Sequence, residues 1–365
     1  MLHKPSNEND VIELLKSKVQ TWEKSFSGDI IIPTSGGFDS RLLNTLVEDK
    51  SRIRAFTYGL SPRQEKSREV IYAKKLTEIL GVSWQQVRLG DFHLYMDDWY
   101  GLYGASTGAF GLYHMEFFSK IHEMLRGKRG LLSGIIGDVW AGNLAIAPMK
   151  SANDLIRLGF THGIRADPTQ LLQKSKKLLY EDYYEREKDM LNDALYRIVA
   201  AVRLKLIFLS YLYRIPKYFG YEPWSPFLDE EVGIAMLNLP ESRKRNRQWQ
   251  IDYFKKQGVY MENMQLQWDR TNSLNHVALK RVPVAPLNVA LLKEIINPRY
   301  IAWINKELLS KSIFVALYSK LMYTPLIKGG LHLLGLKDRY MEAYHAYMTI
   351  KPLELLIQQR NKSHE

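Results

Sequence analysis

The chain has 365 residues, 46% of them hydrophobic and 25% charged, an ordinary globular composition with length for about two domains. It contains no cysteine, so disulfides, thiolate zinc sites and a cysteine nucleophile are excluded. Its 51 Lys plus Arg against 39 Asp plus Glu give a formal charge of +12, which favours polyanionic partners in general without choosing among nucleotides, nucleic acid and an anionic membrane surface.

Ile12, Leu15, Val19, Trp22 and Phe26 recur at steps of three and four and predict an amphipathic first helix. A strand over Ile30–Pro33 then runs into Thr34-Ser35-Gly36-Gly37-Phe38-Asp39-Ser40 and a helix over Ser40–Val47. Two adjacent glycines let successive N–H groups converge on one oxyanion, Ser35 and Ser40 add hydroxyl donors, and the positive end of the helix points at the same spot. A phosphate there would repel Asp39 unless a cation lay between them, which suggests Mg²⁺ shared between carboxylate and phosphate oxygens. The GxxxxGK[ST] pattern of another nucleotide loop occurs nowhere in the chain.

Further along, strands are predicted at Ile53–Tyr58, Trp84–Leu89 and Gly130–Gly134, and helices at Gln64–Leu80, Phe92–Tyr100 and Met115–Arg126. Strands alternating with helices, with no hairpin signal, predict an α/β fold whose parallel sheet is covered by helices on both faces. In such sheets ligands bind at the carboxyl ends of the strands, so the loop after the fourth strand matters as much as the first. There Ser133-Gly134-Ile135-Ile136-Gly137-Asp138 again puts small residues before a carboxylate, and Asp39 and Asp138 together could hold one Mg²⁺. Beyond about residue 150 the pattern becomes helical, with segments at Leu172–Leu179, Tyr183–Tyr213, Glu230–Leu237 and Trp249–Gln257, more from Leu287 onward, and a polar tail after Ile350 expected to fray. The expected division is an α/β nucleotide-binding domain over 1–150 and a helical domain over 151–365.

Ser35-Gly36-Gly37-Phe38-Asp39-Ser40 resembles the PP-loop of the ATP pyrophosphatases. Taken with Ser133–Asp138, Leu212-Tyr213-Arg214 and Trp224-Ser225-Pro226-Phe227-Leu228-Asp229, it makes residues 25–275 similar to the synthetase domain of asparagine synthetases and β-lactam synthetase. The resemblance implies a carboxylate substrate adenylated by Mg²⁺-ATP, with release of pyrophosphate, and attack of ammonia or an amine on the acyl-adenylate. Ser35, Gly36, Gly37, Phe38, Asp39 and Ser40 would cradle the pyrophosphate, Asp39 and Asp138 would hold the metal, and Thr57, Tyr58, Ser133 and Gly134 would bracket adenosine. Both glutamates of the family's Gly-Glu-Gly-Ala-Asp-Glu are aliphatic here, at Ile135 and Val139, so handling of substrate or amine is expected to differ. The family's lysine near the adenylate phosphates has no single match, and Lys244 or Arg247 could supply that cation.

The chain starts too close to its PP-loop for the glutaminase domain of the family. Free ammonia, a separate glutaminase subunit or an organic amine would then be the nitrogen source. The acid expected from the resemblance is a uronic-acid carboxylate of a surface polysaccharide, or else an acid of a natural-product pathway. A tRNA-modifying PP-loop enzyme and a non-catalytic nucleotide-binding scaffold are the alternatives, though no nucleic-acid-binding signature is present. The N-terminus lacks the order of a signal peptide and no apolar run reaches the roughly 18 residues of a bilayer span, so a cytoplasmic location is expected. The aromatic and basic segment Ile313–Leu334 would suit peripheral contact with the inner face of a membrane.

Overall fold

The computed structural model describes residues 2–125, 129–159, 165–172, 179–309 and 338–363. Five strands, β1 (Ile30–Pro33), β2 (Ile53–Thr57), β3 (Ser83–Gln86), β4 (Arg129–Leu132) and β5 (Tyr221–Trp224), form one sheet in the order β3-β2-β1-β4-β5, every pair parallel. The α/β architecture read from the sequence is present. In β1, Ile30, Ile31 and Ile32 are each fully buried, as expected of a central parallel strand covered on both sides. Their alternation divides the core. Ile30 and Ile32 join the cluster holding α1 (Glu8–Lys24), α2 (Phe38–Leu46) and α3 (Arg68–Leu80), whereas Ile31 faces the cluster of α4 (Met96–Tyr103) and α5 (Tyr113–Met124).

After β4 the chain continues through α6 (Ala152–Gly159), α7 (Leu179–Glu187), α8 (Ala194–Leu209) and α9 (Tyr211–Tyr218), enters β5, and leaves through α10 (Glu230–Leu237), α11 (Glu241–Lys244) and α12 (Gln248–Lys256). Strand β5 corrects the sequence reading, which assigned no strand beyond residue 150. It is a four-residue edge strand containing Pro223, whose missing N–H is tolerated only at an edge, so its own sequence carries almost no strand signal. Both large core clusters draw residues from each side of position 150.

Several predicted helices are broken where a side chain competes for the backbone. The helix expected over Tyr183–Tyr213 ends at Glu187 and restarts at α8, because the Asp193 carboxylate accepts from Leu195 N–H and Tyr196 N–H as an N-cap. Helix α3 begins at Arg68 rather than Gln64, since the Ser67 hydroxyl is bound to Ser61. The tail does not fray at Ile350: a helix over Arg339–Lys362 carries on, pinned where the fully buried Glu354 accepts from Asn288 N–H at 2.6 Å and pairs with Lys351. The segment Ile313–Leu334 and most of the helix expected at 172–179 lie outside the described residues. Among the described residues no helix is long and apolar enough to cross a membrane.

Candidate nucleotide site at the sheet switch point

From β1 the chain runs outward to β2 and β3, then returns to the other side of β1 as β4. The order therefore reverses between the carboxyl ends of β1 and β4, where a crevice opens in open α/β sheets. A cleft of about 550 Å³ lies there, lined by Thr34 and Ser35 of the first loop, Thr57 and Tyr58 at the end of β2, and Ser133, Gly134 and Asp138 of the β4 loop.

The first loop is held by its own serines and by a buried arginine. Ser35 N–H donates to the Ser40 hydroxyl at 3.2 Å, Gly37 N–H donates to the Ser35 hydroxyl at 3.3 Å, and the Ser40 hydroxyl donates to Gly37 C=O. Gly36 has φ +67°, and a Cβ there would stand 2.4 Å from Cβ of Tyr72 on α3, so both conformation and packing demand glycine. Beneath the loop Arg41 is fully buried, donates to Gly36 C=O at 2.8 Å and forms a two-point pair with Glu262 at 2.8 and 3.0 Å. Arg41 thus fixes the turn from behind. The sequence reading did not single it out because its partner lies more than two hundred residues away.

Asp39 stands at the start of α2 and keeps 20% of its side-chain exposure. Burial pushes its carboxyl up to about 6; the Arg247 guanidinium opposes that shift and the nearby Asp138 charge adds to it. The β4 loop comes close because it is glycine there: a Cβ on Gly137 would lie 3.0 Å from Cγ of Asp39, and one on Gly134 3.2 Å from its Cβ. Phe227 supports the loop from behind, its carbonyl accepting from the Trp140 indole at 2.8 Å, and Asp229 caps α10. The Trp224–Asp229 segment is therefore the buttress of the β4 loop.

The two cations proposed from sequence part company. Arg247 donates to the Asp39 carboxylate and to the Gln250 side chain at 2.8 Å, and stacks 4.9 Å above the Phe38 ring. Lys244 is buried and donates to Leu237 C=O at 2.8 Å at the end of α10; neither cation lines the cleft itself, and Arg247 alone reaches Asp39. Arg247 reaches the site through backbone with positive φ, 53° at Asn246 and 58° at Arg247; Ile136 in the β4 loop, with φ 57°, is a third such residue. Of the five described non-glycine residues with positive φ, three lie in the β4 loop or in the turn that brings Arg247 to Asp39, a concentration of strain of the kind functional sites hold.

Thr57 and Tyr58 line the cleft, but their side chains are already engaged. The Thr57 hydroxyl donates to Thr34 C=O and accepts from the Trp84 indole, and the Tyr58 ring packs on Tyr113 and Phe117. That leaves backbone and ring face for a ligand. Burial holds His114, on the same wall, down to about 3, so its imidazole is neutral. Two charged residues of the lining went unnoticed in the sequence, Glu69 at the start of α3 and Lys205 on α8. The available signal for Lys205 was a lone lysine between Val202 and Leu209 on one helical face.

Asp39 and Asp138 fit Mg²⁺. They are two hard oxygen donors beside an anion loop, the set this ion takes when substrate phosphates and water complete its shell. Among the described residues there is no group of three or more His, Asp or Glu that would form a cage without phosphate.

No protein-family model matches the sequence, and no curated protein matches it. Among solved structures, the chain is similar to the NH3-dependent NAD synthetase from Campylobacter jejuni subsp. jejuni NCTC 11168 in complex with the nitrate ion, at 13% identity and TM-score 0.29, over 56% of this chain and 96% of that one. A likeness at that level carries no argument about activity, which rests on the residues of the cleft.

Proposed function

We propose that this protein is an ATP-dependent, AMP-forming ligase that adenylates a carboxylate and passes it to ammonia or an amine. The observation that carries the reading is the convergence of Asp39 and Asp138, from the loops after two adjacent parallel strands, beside the Ser35–Ser40 anion loop. Loop N–H groups and the positive end of α2 would hold the triphosphate, with adenosine against backbone at Thr57, Tyr58, Ser133 and Gly134. Glu69 would accept from the ribose hydroxyls, as a carboxylate does in other α/β nucleotide sites. Mg²⁺ on Asp39 and Asp138 would neutralise phosphate charge. Arg247, displaced from Asp39 by the arriving cation, would turn its guanidinium to the phosphates.

In the reaction, a carboxylate oxygen of the substrate bonds to the α-phosphorus and pyrophosphate departs with the electron pair of the broken P–O bond. The amine then bonds to the acyl carbon, AMP leaves with its oxygen, and the amine proton passes to solvent. Ammonia could come from solution or from a separate glutaminase.

ATP/pyrophosphate exchange with Mg²⁺ over a range of carboxylates, including amino acids and nucleotide-linked uronic acids, tests the reading. Exchange dependent on one acid, falling at least about a thousandfold in Asp39→Ala, is expected. ATP binding without exchange would favour a tRNA-modifying enzyme or a non-catalytic nucleotide-binding scaffold; no ATP binding at all would remove the adenylation reading.

A further inference from the structure

The cleft is lined by three formally charged side chains, Glu69, Asp138 and Lys205, besides the neutral His114. Lys205 is the one cation among the described lining residues, and it makes no hydrogen bond or ion pair with any of them. The carboxylate that acts on it is Asp138, and it comes from α8, whereas Thr57 and Tyr58 follow β2 and Glu69 belongs to α3. The lining given by α8, the start of α9 and the chain after the β4 loop is mostly apolar, Val202, Leu209, Leu212, Val139 and Leu144 forming a collar broken by Asn143. Burial accordingly lowers the pKa of its ammonium. Asp138 acts on this ammonium through space, but no side chain among the described residues accepts a hydrogen bond from it, and an anionic ligand in the cleft would supply that acceptor.

We infer that Lys205 is the anchor of the acid substrate, and that the collar selects a carboxylate carried on an apolar body. This rests on the adenylation reading and adds to it which residue holds the acid and what kind of acid it is. Lys205 stands beside Asp138, so an acid seated on it has its carboxyl next to the metal-binding end of the cleft, where the α-phosphorus must come. The aliphatic Ile135 and Val139 line the cleft as well, and their side chains give no hydrogen-bond partners to a hydroxyl-rich acid.

The test compares wild type with Lys205→Met and Lys205→Arg on two readouts. In ATP/pyrophosphate exchange, paired acids of similar size, one aryl or cycloalkyl and one a uronic acid, are titrated at saturating MgATP, and MgATP affinity is measured separately by calorimetry. Expected are preference for the apolar acid, a rise of about tenfold or more in its KM for Lys205→Met, recovery to within a few-fold in Lys205→Arg, and unchanged MgATP affinity. An unchanged acid KM, a loss confined to MgATP affinity, or preference for the uronic acid would overturn the inference while leaving adenylation standing.

The second readout needs no turnover. The apolar acid should slow acetylation of Lys205 by covering it, where MgATP alone does not. Protection without exchange would remove the adenylation reading and keep the acid site; exchange without protection would do the reverse.

Discussion

Two buried carboxylates in this molecule are treated in opposite ways. Glu116 on α5 is fully buried, and its charge is met on the spot by Gly90 N–H and Asp91 N–H, both at 2.9 Å, and by Lys120 at 2.6 Å. Asp39 is less buried, yet desolvation dominates it: one guanidinium opposes the shift and a second carboxylate adds to it, leaving the group near 6. Burial by itself therefore does not mark a functional acid. The mark is burial that the protein's own partners leave uncompensated, beside a cleft from which a cation can arrive. Glu116 ties the loop after β3 to a helix. In the proposed function Asp39 is the acid held ready for a cation, at a cost in stability.

That contrast predicts opposite signs for removing the two charges. Glu116→Ala leaves two amides and an ammonium without their acceptor, and a loss of about 3–5 kcal/mol is expected in urea unfolding at neutral pH; a loss below about 1 kcal/mol would mean that the pin is ornamental. For Asp39 the sign reverses. Its carboxyl is raised from the ordinary 3.8 to about 6, so the folded state binds more protons over that interval and wild type loses stability as pH rises through it. Asp39→Asn, which cannot ionise, should then exceed wild type above about pH 6 by on the order of 2 kcal/mol, with the advantage gone below about pH 4. Unfolding curves of the two proteins across that range decide it, and a pH-independent difference would break the comparison. MgATP affinity of wild type should fall as pH drops through about 6, since the metal needs the ionised acid.

A third change sharpens the geometry. Gly137→Ala places a methyl 2.8 Å from the Phe227 ring and 3.0 Å from Cγ of Asp39, and should cost about 1–3 kcal/mol while weakening MgATP binding. Gly101→Ala is the matched control, in α4 with nothing within 4 Å of the new carbon, and should stabilise by about 0.5–1 kcal/mol without touching MgATP binding. Thermal melts and calorimetry on the pair separate a close approach required by the site from the ordinary helix preference of alanine over glycine.

Sequence alone determined the elements whose signals are local. The triple isoleucine, the Ser-Gly-Gly turn, the helix after it, and the repetition of small residues and a carboxylate at Ser133–Asp138 are contiguous patterns, each set by the conformational freedom of glycine or by helix and strand periodicity. From them the parallel sheet and the pairing of Asp39 with Asp138 were legible. Tertiary structure decided what depends on partners far apart in the chain. The edge strand β5 exists because Arg129–Leu132 presents a free edge to Tyr221–Trp224, not because Tyr-Glu-Pro-Trp favours extension. Which of Lys244 and Arg247 contacts Asp39 was decided by a left-handed turn at Asn246 that sends one cation to that carboxylate while the other is taken up by Leu237 C=O. Glu69 and Lys205 became visible only when α3 and α8 were packed around the switch point, because electrostatic complementarity is a property of distances in space, which no spacing along the chain encodes.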